Sequence, residues 1–591
     1  MVRGHKIASF REACLELGLL ESDSYIEQAL EEAAHFQMPY MLRSLFAMLL
    51  FYCYPKNPKH LWQSFEEHLS SDYKRSSAHR HCTPIEIKRK VLQDINVTLE
   101  HMGKNLDDYH FLEDSFTSSH TERLTKEIQS ETTIPIDPED LLLAEKLNSS
   151  QRHAFDLILD SVSCSKGQTF FVDGPGGTGK TFLYRALLVS LRSHGYVAIA
   201  VATSGVAASL LPGGRTAHSR FKIPLDFSKQ KACQLSKQSS VARLIVDAKL
   251  ILWDEASMAK KEAIEAFHCL LTDIMESDLP FGGKTIIFGG DFRQTLPVIE
   301  HLPPPDLVQS TLLCSHLWSH MCKLQLGTNM RATLDPAFSA FLLRVGEGVE
   351  PVDEHGQISL SPHMVIPYQN KQESLDRCVL CPKNSSVDEI NEMMIAKFPG
   401  CLHRYISCDR TVVRRYQADY QDFLNSLNPK GLPPHELLLK ENCPIILLRN
   451  VNPTDGLCNG TRLICRQLAD HTIFAEIVSR PHRGKKVFIP KIPLQTSDTE
   501  KNGIPFIRTQ FPVRLCFAMT INKSQGQTLD YVGIYLREPV FSHGQLYVAL
   551  SKARNSSAVK VLIAPGTSDD VKTYCKTRNV VFQDIFKFVN I

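Results

Sequence analysis

At 591 residues the chain exceeds what one hydrophobic core organises, so three or four folding units are expected. Apolar residues at 43% and charged residues at 22% exclude a disordered or fibrous chain, and no run of eighteen apolar residues suggests a membrane span. A net charge of +2 excludes nucleic-acid recognition by overall charge, leaving that task to local basic patches.

The opening stretch MVRGHKIASFREACLEL lacks the apolar core of a secretory signal. Seventeen cysteines are scattered without a regular framework, which suits reduced thiols in a cytosolic or nuclear protein. Cys378 and Cys381 form a CxxC without a second pair at zinc-site spacing, so they read as strand-packing residues. Residues 1 to about 107 carry apolar positions at helical spacing in SYIEQALEEAAHF, MLRSLFAMLLFYCY and IEIKRKVLQDINVTLEHMG. Residues 108–145 are polar and broken by prolines, as in TTIPIDPED, and read as a linker. From Leu147 short β-rich runs alternate with helical patterns, the mark of a parallel sheet with crossover helices. The runs are QTFFVD, YVAIAVAT, KLILWDEA and KTIIFGGD, and a second alternating region begins near Cys378. Two stretches, 216–242 and 436–510, break the alternation.

The segment FFVDGPGGTGKTFLYRALL decides the chemistry. Gly174, Pro175, Gly176, Gly177, Thr178, Gly179, Lys180 and Thr181 fit G-x-x-x-x-G-K-[ST] between a strand and a helix. Glycines let the backbone wrap phosphates, and a helix start offers free N–H groups to an anion. Lys180 would reach the β- and γ-phosphates of ATP, and the Thr181 hydroxyl would bind Mg²⁺. Gly174, Gly176 and Gly179 also fit the dinucleotide pattern, which needs an acid some twenty positions on. Gly174 to Leu225 contains no Asp or Glu, so that reading fails. Asp254 and Glu255 close the apolar run LILW; with a phosphate loop upstream, Asp254 would hold Mg²⁺ and Glu255 would polarise the attacking water. In GGDFRQTLP, Asp291 and Gln294 stand at the next strand end, where a γ-phosphate sensor belongs. The acid-free stretch also carries Lys180, Arg185, Arg192, Arg215, Arg220 and Lys222, so part of its surface is expected to face phosphate; a solvated basic face rivals this for Arg185 and Arg192, but hardly for Arg220.

The ordered set LNSSQ, GPGGTGKT, ATSGVAAS, GRTAHS, DEASM, GDFRQTLPV, TNMRA, TINKSQGQTL and YVALSKAR resembles the petite-integration-frequency (PIF) family of superfamily 1 DNA helicases, from Leu147 to about Ile563. Upstream, ACLELGLLESDSYIEQALEEAAHFQMPYMLRSLFAMLLFY resembles the segment before the helicase in Helitron-type transposon proteins. No histidine pair with a catalytic tyrosine supplies their endonuclease; His79 and His81 read as exposed loop residues. The resemblance implies an α/β chain with two RecA-like motor domains, at 146–330 and at 331–435 with 511–591. It implies a small wedge insertion at 216–242, an SH3-like β-barrel at 436–510, and a helical N-terminal region at 1–107. It implies ATP-dependent 5′–3′ translocation on single-stranded DNA and unwinding at duplex junctions, by a nuclear, monomeric protein in repair, recombination or telomere maintenance. The alternatives are a DNA-stimulated ATPase without unwinding, or a DNA-binding transposon remnant.

By position, Gln151 is similar to the glutamine that reads adenine. Thr203, Ser204, His218 and Ser219 fall in motifs that touch the DNA backbone from the first motor domain. Arg331 matches the arginine that crosses the cleft to the γ-phosphate. Thr520, Lys523, Ser524, Gln525 and Gly526 match the fifth motif, and Gln545, Tyr547 and Lys552 the sixth. Where that motif usually reads Ser-Arg, this chain has Ser551-Lys552, a lysine at the arginine-finger position. GQLYVALSKAR reads as a helix, which would turn Arg554, two positions on, away from the cleft.

Overall fold

The computed structural model describes residues 23–36, 38–77, 83–109, 128, 131–134, 136–224, 226–299, 302–333, 335–366, 378–412, 423–429, 431–478, 482–496, 505–564 and 575–589. His79 and His81 lie outside the described residues. The chain divides into two compact units, one of residues 1–117 with 395–516 and one of 118–394 with 517–591.

In the first unit four helices cover the N-terminal region: α1 (Ser24–Ala34), α2 (Pro39–Cys53), α3 (Pro58–Ser77) and α4 (Pro84–Met102). Helix α4 starts on a capping box, Thr83 with Glu86, and ends on Gly103 at φ 93°. A cap of this kind contributes about 1 kcal/mol. Helix α2 is buried along most of Leu42–Leu50, so it needs partners on several sides. One is a five-stranded antiparallel sheet in the order Lys486–Pro490, Thr472–Ile477, Arg462–Leu468, Pro444–Leu447, Val513–Leu515. Phe36 packs against Phe474 and, edge-on, against Phe488, with ring centroids 4.7 and 5.2 Å apart. Asp455 accepts hydrogen bonds from Tyr40, Ser44 and Lys485. The helical region and the inserted sheet therefore share one core.

The inserted region reaches further back than 436. Strands His403–Ile406 and Cys408–Thr411, expected in the second motor domain, pair antiparallel with Glu436–Leu439 and Phe506–Gln510. The cause is long-range. Arg508 and Asp409 form a 2.6 Å ion pair with both side chains at 0% exposure, which binds 409 to 508 across the insertion.

The second unit holds two parallel sheets. The first has strands β1 (Thr169–Asp173), β2 (Ala198–Ala202), β3 (Arg215–Thr216), β4 (Leu250–Asp254), β5 (Ile286–Gly290) and β6 (Cys322–Gln325), in the order β3-β2-β4-β5-β1-β6. β1, β2, β4 and β5 are buried throughout, which explains their unbroken apolar runs: helices cover both faces. Helices α5 (Ser149–Ser163), α6 (Lys180–Ser193), α7 (Gly205–Ser209) and α8 (Ala217–Phe221) flank it. The second sheet runs Ala518–Thr520, Cys378–Cys381, Val532–Leu536, Val559–Ile563, Val365–Ile366, all parallel, and buries Cys381. This is the expected α/β architecture of two RecA-like domains. Arg215–Thr216 is the edge strand of the first sheet and Ala217–Phe221 the helix that follows it, so the irregular part of the expected 216–242 begins at Lys222.

Within the linker expected at 108–145, the described residues 131–134 and 136–145 belong to the second compact unit. Pro138–Leu142 and Ala144–Lys146 form short 3₁₀ helices, and Asp140 pairs with Arg185 at 2.5 Å. Glu131 is 4% exposed and pairs with Arg220. The acids missing from Gly174–Leu225 are thus supplied by the preceding segment. Arg192 is also inside, donating to the carbonyls of Pro212 and Ala198. Arg185, Arg192 and Arg220 are structural cations rather than phosphate contacts.

Candidate nucleotide and nucleic-acid site

The phosphate loop leaves β1 at Asp173 and opens α6 at Lys180. Two of its glycines are dictated by backbone and space. Gly177 has φ 97°, and a Cβ there would collide with Asn329 Oδ1; Gly179 has φ 80°, and its Cβ would meet Gln151 Nε2 at 2.5 Å. Lys180 Nζ donates to the Gly174 carbonyl inside the same loop. Gln151 closes a capping box with Asn148 at the start of α5, and its Nε2 donates to Thr178 O at 2.9 Å. As placed, its carboxamide supports the loop from beneath.

At the end of β4, Asp254 Oδ1 accepts the N–H of Glu255 at 2.8 Å. Glu255 adopts the left-handed conformation, φ 54° and ψ 36°, strain of about 1 kcal/mol for a residue with a Cβ. Its Oε2 is buried without a hydrogen-bond partner. Burial and the neighbouring Asp254 push the Glu255 carboxyl up to about 7. From the other domain Lys552 comes in at 4% exposure beside Arg331, Glu255, Asp291 and Lys180. Burial and Arg331 bring its ammonium down to about 7. Arg331 is tied across the same cleft, Nη1 to Ser551 O at 2.7 Å, while Asn329 Oδ1 accepts its N–H. Gln294 donates to Asp291 and accepts from Gln525 at 3.5 Å. Lys180, Asp254, Glu255, Gln294, Arg331 and Lys552 are therefore gathered in one place.

Helix α9 (Gln545–Leu550) stops before Ser551, so the helical geometry expected to turn Arg554 away does not extend to it. Arg554 is nevertheless exposed, 3.6 Å from Asp530. Two residues had no role assigned from the sequence. The Tyr547 hydroxyl accepts the Gly176 N–H at 2.8 Å and donates to Asp291 Oδ2 at 3.1 Å, joining the sixth motif to the phosphate loop. Arg293 contacts Asp173, Asp291 and Glu347 at 3.4, 3.5 and 3.0 Å. A cation inside GDFRQ, between two strand-end acids, was the available signal.

The residues expected on DNA divide. His218 is half-buried and Ser219 exposed on α8; Thr520 and Lys523 are half-buried. Ser204 caps α7 through Ala207 N–H. Thr203 Oγ1 donates to Glu255 O at 2.7 Å and accepts from Trp253 Nε1 at 3.0 Å, so its hydroxyl braces β4. Ser524 is 0% exposed and donates to Ile521 O, and Gln525 is buried on Gln294; neither reaches a phosphate track as placed. Gln525 links the fifth motif to the nucleotide cleft instead.

Residues 146–355 match the family model described as PIF1-like helicase, and residues 422–468 match the Pif1 helicase 2B domain. Over these two segments the chain is similar to the PIF1-like helicases. It is 29% identical over 412 residues to the human ATP-dependent DNA helicase PIF1, covering 67% of this chain and 58% of that protein. Against the Danio rerio PIF1 the values are 28% over 435 residues, 71% and 62%. The chain thus spans about three fifths of the length of these relatives. Its fold is similar to that of Bacteroides Pif1 bound to single-stranded DNA, with a TM-score of 0.55, 21% identity, and 75% and 96% of the two chains covered. The 2B match falls in the unit that also carries α1–α4, so the segment similar to the 2B domain shares one compact unit with the helical N-terminal region.

Proposed function

We propose that the chain is an ATP-dependent DNA helicase that couples ATP hydrolysis to 5′–3′ movement on single-stranded DNA and to unwinding at duplex junctions. The gathering of Lys180, Asp254, Glu255, Gln294, Arg331 and Lys552 from both parallel-sheet domains carries the reading. Direction of travel, and work on nuclear DNA in repair, recombination or telomere maintenance, are what the resemblance to the PIF1-like helicases supports.

The cradle fits Mg²⁺–ATP. The Thr181 hydroxyl and the Asp254 carboxylate are the hard oxygen donors that would hold Mg²⁺, which neutralises phosphate charge when bound. Lys180, at the helix start, draws the phosphates into the loop. The unpartnered Glu255 Oε2 is free to accept a proton from the attacking water. Gln294 holds that water in line, while Arg331 and Lys552 face the charge that builds on the transferred group. Tyr547 and Gln525 couple this cleft to the second domain. Strand displacement of a forked duplex and hydrolysis with and without single-stranded DNA, on one preparation, test the proposal. DNA-stimulated hydrolysis without displacement would leave only the ATPase reading.

Hydroxyls and lysines on the track imply phosphate contacts, so affinity for single-stranded DNA is expected to fall steeply with salt and vary little with sequence. Titrations at several salt concentrations measure this; a flat salt dependence with strong sequence preference contradicts a motor.

Lysine at position 552 is expected to make turnover slow, because an ammonium is a point charge where a guanidinium grips two oxygens. Lys552→Arg should raise DNA-stimulated turnover several-fold, and Arg554→Ala should leave it nearly unchanged. The opposite pattern would make Arg554 the finger.

A further inference from the structure

Helix α8 carries His218 and Ser219, the outermost of the expected DNA contacts, yet it has only five residues. A helix this short does not hold its shape alone. Two buried anchors fix it. Phe221 packs against Phe267 with ring centroids 4.4 Å apart, and Arg220, 3% exposed, reaches out of the first motor domain's own sequence to Glu131 at 2.5 Å.

Glu131 does more than neutralise Arg220. Its Oε2 lies 3.7 Å from Arg192 Nη2 and has no hydrogen bond. Arg192 in turn holds the start of β2 through Ala198 O and the turn before β3 through Pro212 O, both at 2.8 Å. One carboxylate thus sits between two buried guanidiniums that repel each other, and those two frame the sheet edge from which α7 and α8 spring. Three residues on, Ile134 presses its Cδ1 into the turn at Gly213, where an added Cβ would collide with it.

We infer that residues 131–134 are a strap whose Glu131 is a positioning residue for the nucleic-acid grip of the first motor domain. The strap acts through α8 and the β2–β3 edge and touches neither nucleotide nor DNA. This rests on the proposed DNA-stimulated ATPase, which the wild-type chain tests by itself: absence of any stimulation there defeats that reading, whatever the strap does.

With wild-type stimulation in hand, Glu131→Gln in the full chain is the test. Neutralising the carboxylate removes the shared counter-charge from between Arg192 and Arg220. The single-stranded DNA concentration for half-maximal stimulation is expected to rise at least fivefold, while unstimulated hydrolysis and KM for ATP stay within about twofold. Glu131→Asp should recover part of the loss. Ile134→Ala loosens the strap without unpairing a charge, so it reports if Glu131→Gln does not fold; it should raise the same concentration about twofold to threefold. Unchanged DNA dependence in the folded variants would overturn the inference, as would an equal loss of unstimulated hydrolysis.

Discussion

Lys180→Ala is expected to lower ATP hydrolysis at least a hundredfold while leaving weak binding to single-stranded DNA. The magnitude follows from what one preorganised charge contributes when it meets developing charge in a site shielded from water. Position matters as much as charge. Gly177 and Gly179 take positive-φ angles that residues with a Cβ rarely adopt, and Asn329 and Gln151 crowd them, so the loop's shape is set by its backbone rather than by the ammonium. Arg331 already donates its backbone N–H to Gly177 O and its guanidinium to Ser551 O, so it is committed where it stands. DNA binding should survive because the residues proposed to contact DNA, His218, Ser219, Thr520 and Lys523, lie outside Gly174–Thr181 in the sequence. Steady-state hydrolysis alongside a DNA titration measures both halves. Turnover above about a tenth of wild type would take Lys180 out of the chemistry.

The phosphate loop, the Asp254–Glu255 pair and the alternation of parallel strands were legible because each is local: a run of apolar residues, a glycine pattern and an acid at a strand end stand within a few positions. What was not legible depends on residues far apart in sequence. The apparently unopposed arginines of 174–225 are matched by Asp140 and Glu131, from a segment whose prolines and polarity gave it the texture of a linker. The inserted region grew because Asp409 and Arg508 bury one another, a pairing that no periodicity announces. Ser524 and Gln525 sit in a motif expected to touch DNA, but burial directs them inward. Helix α9 ends at Leu550, so no helix turns Arg554 aside; it is exposed beside Asp530 instead. Tyr547 showed its partners only once Gly176 and Asp291 were brought beside it.

Glu255→Gln should collapse hydrolysis by two orders of magnitude or more with nucleotide binding retained, and the wild-type pH profile should show why. The carboxyl is held up to about 7 by burial and by Asp254, so the ionised form that accepts a proton is lost as pH falls through that value. Lys552 is held down to about 7 by burial and by Arg331, so the cation proposed to face the transferred phosphate is lost as pH rises through it. The signs oppose. Both groups are active together only near neutrality, and kcat/KM for ATP should follow a narrow bell centred there, its limbs belonging to the interacting pair. The variants separate the limbs. Lys552→Arg keeps its charge well past pH 10, so its alkaline limb should retreat while the acid limb stays. Glu255→Gln preserves shape and the left-handed backbone but not the base, so a fluorescent ATP analogue should bind within about threefold of wild type. Weakened binding with persisting turnover would make Glu255 a fold residue. A wild-type profile flat from pH 6 to 9 would remove both groups from the rate-determining chemistry.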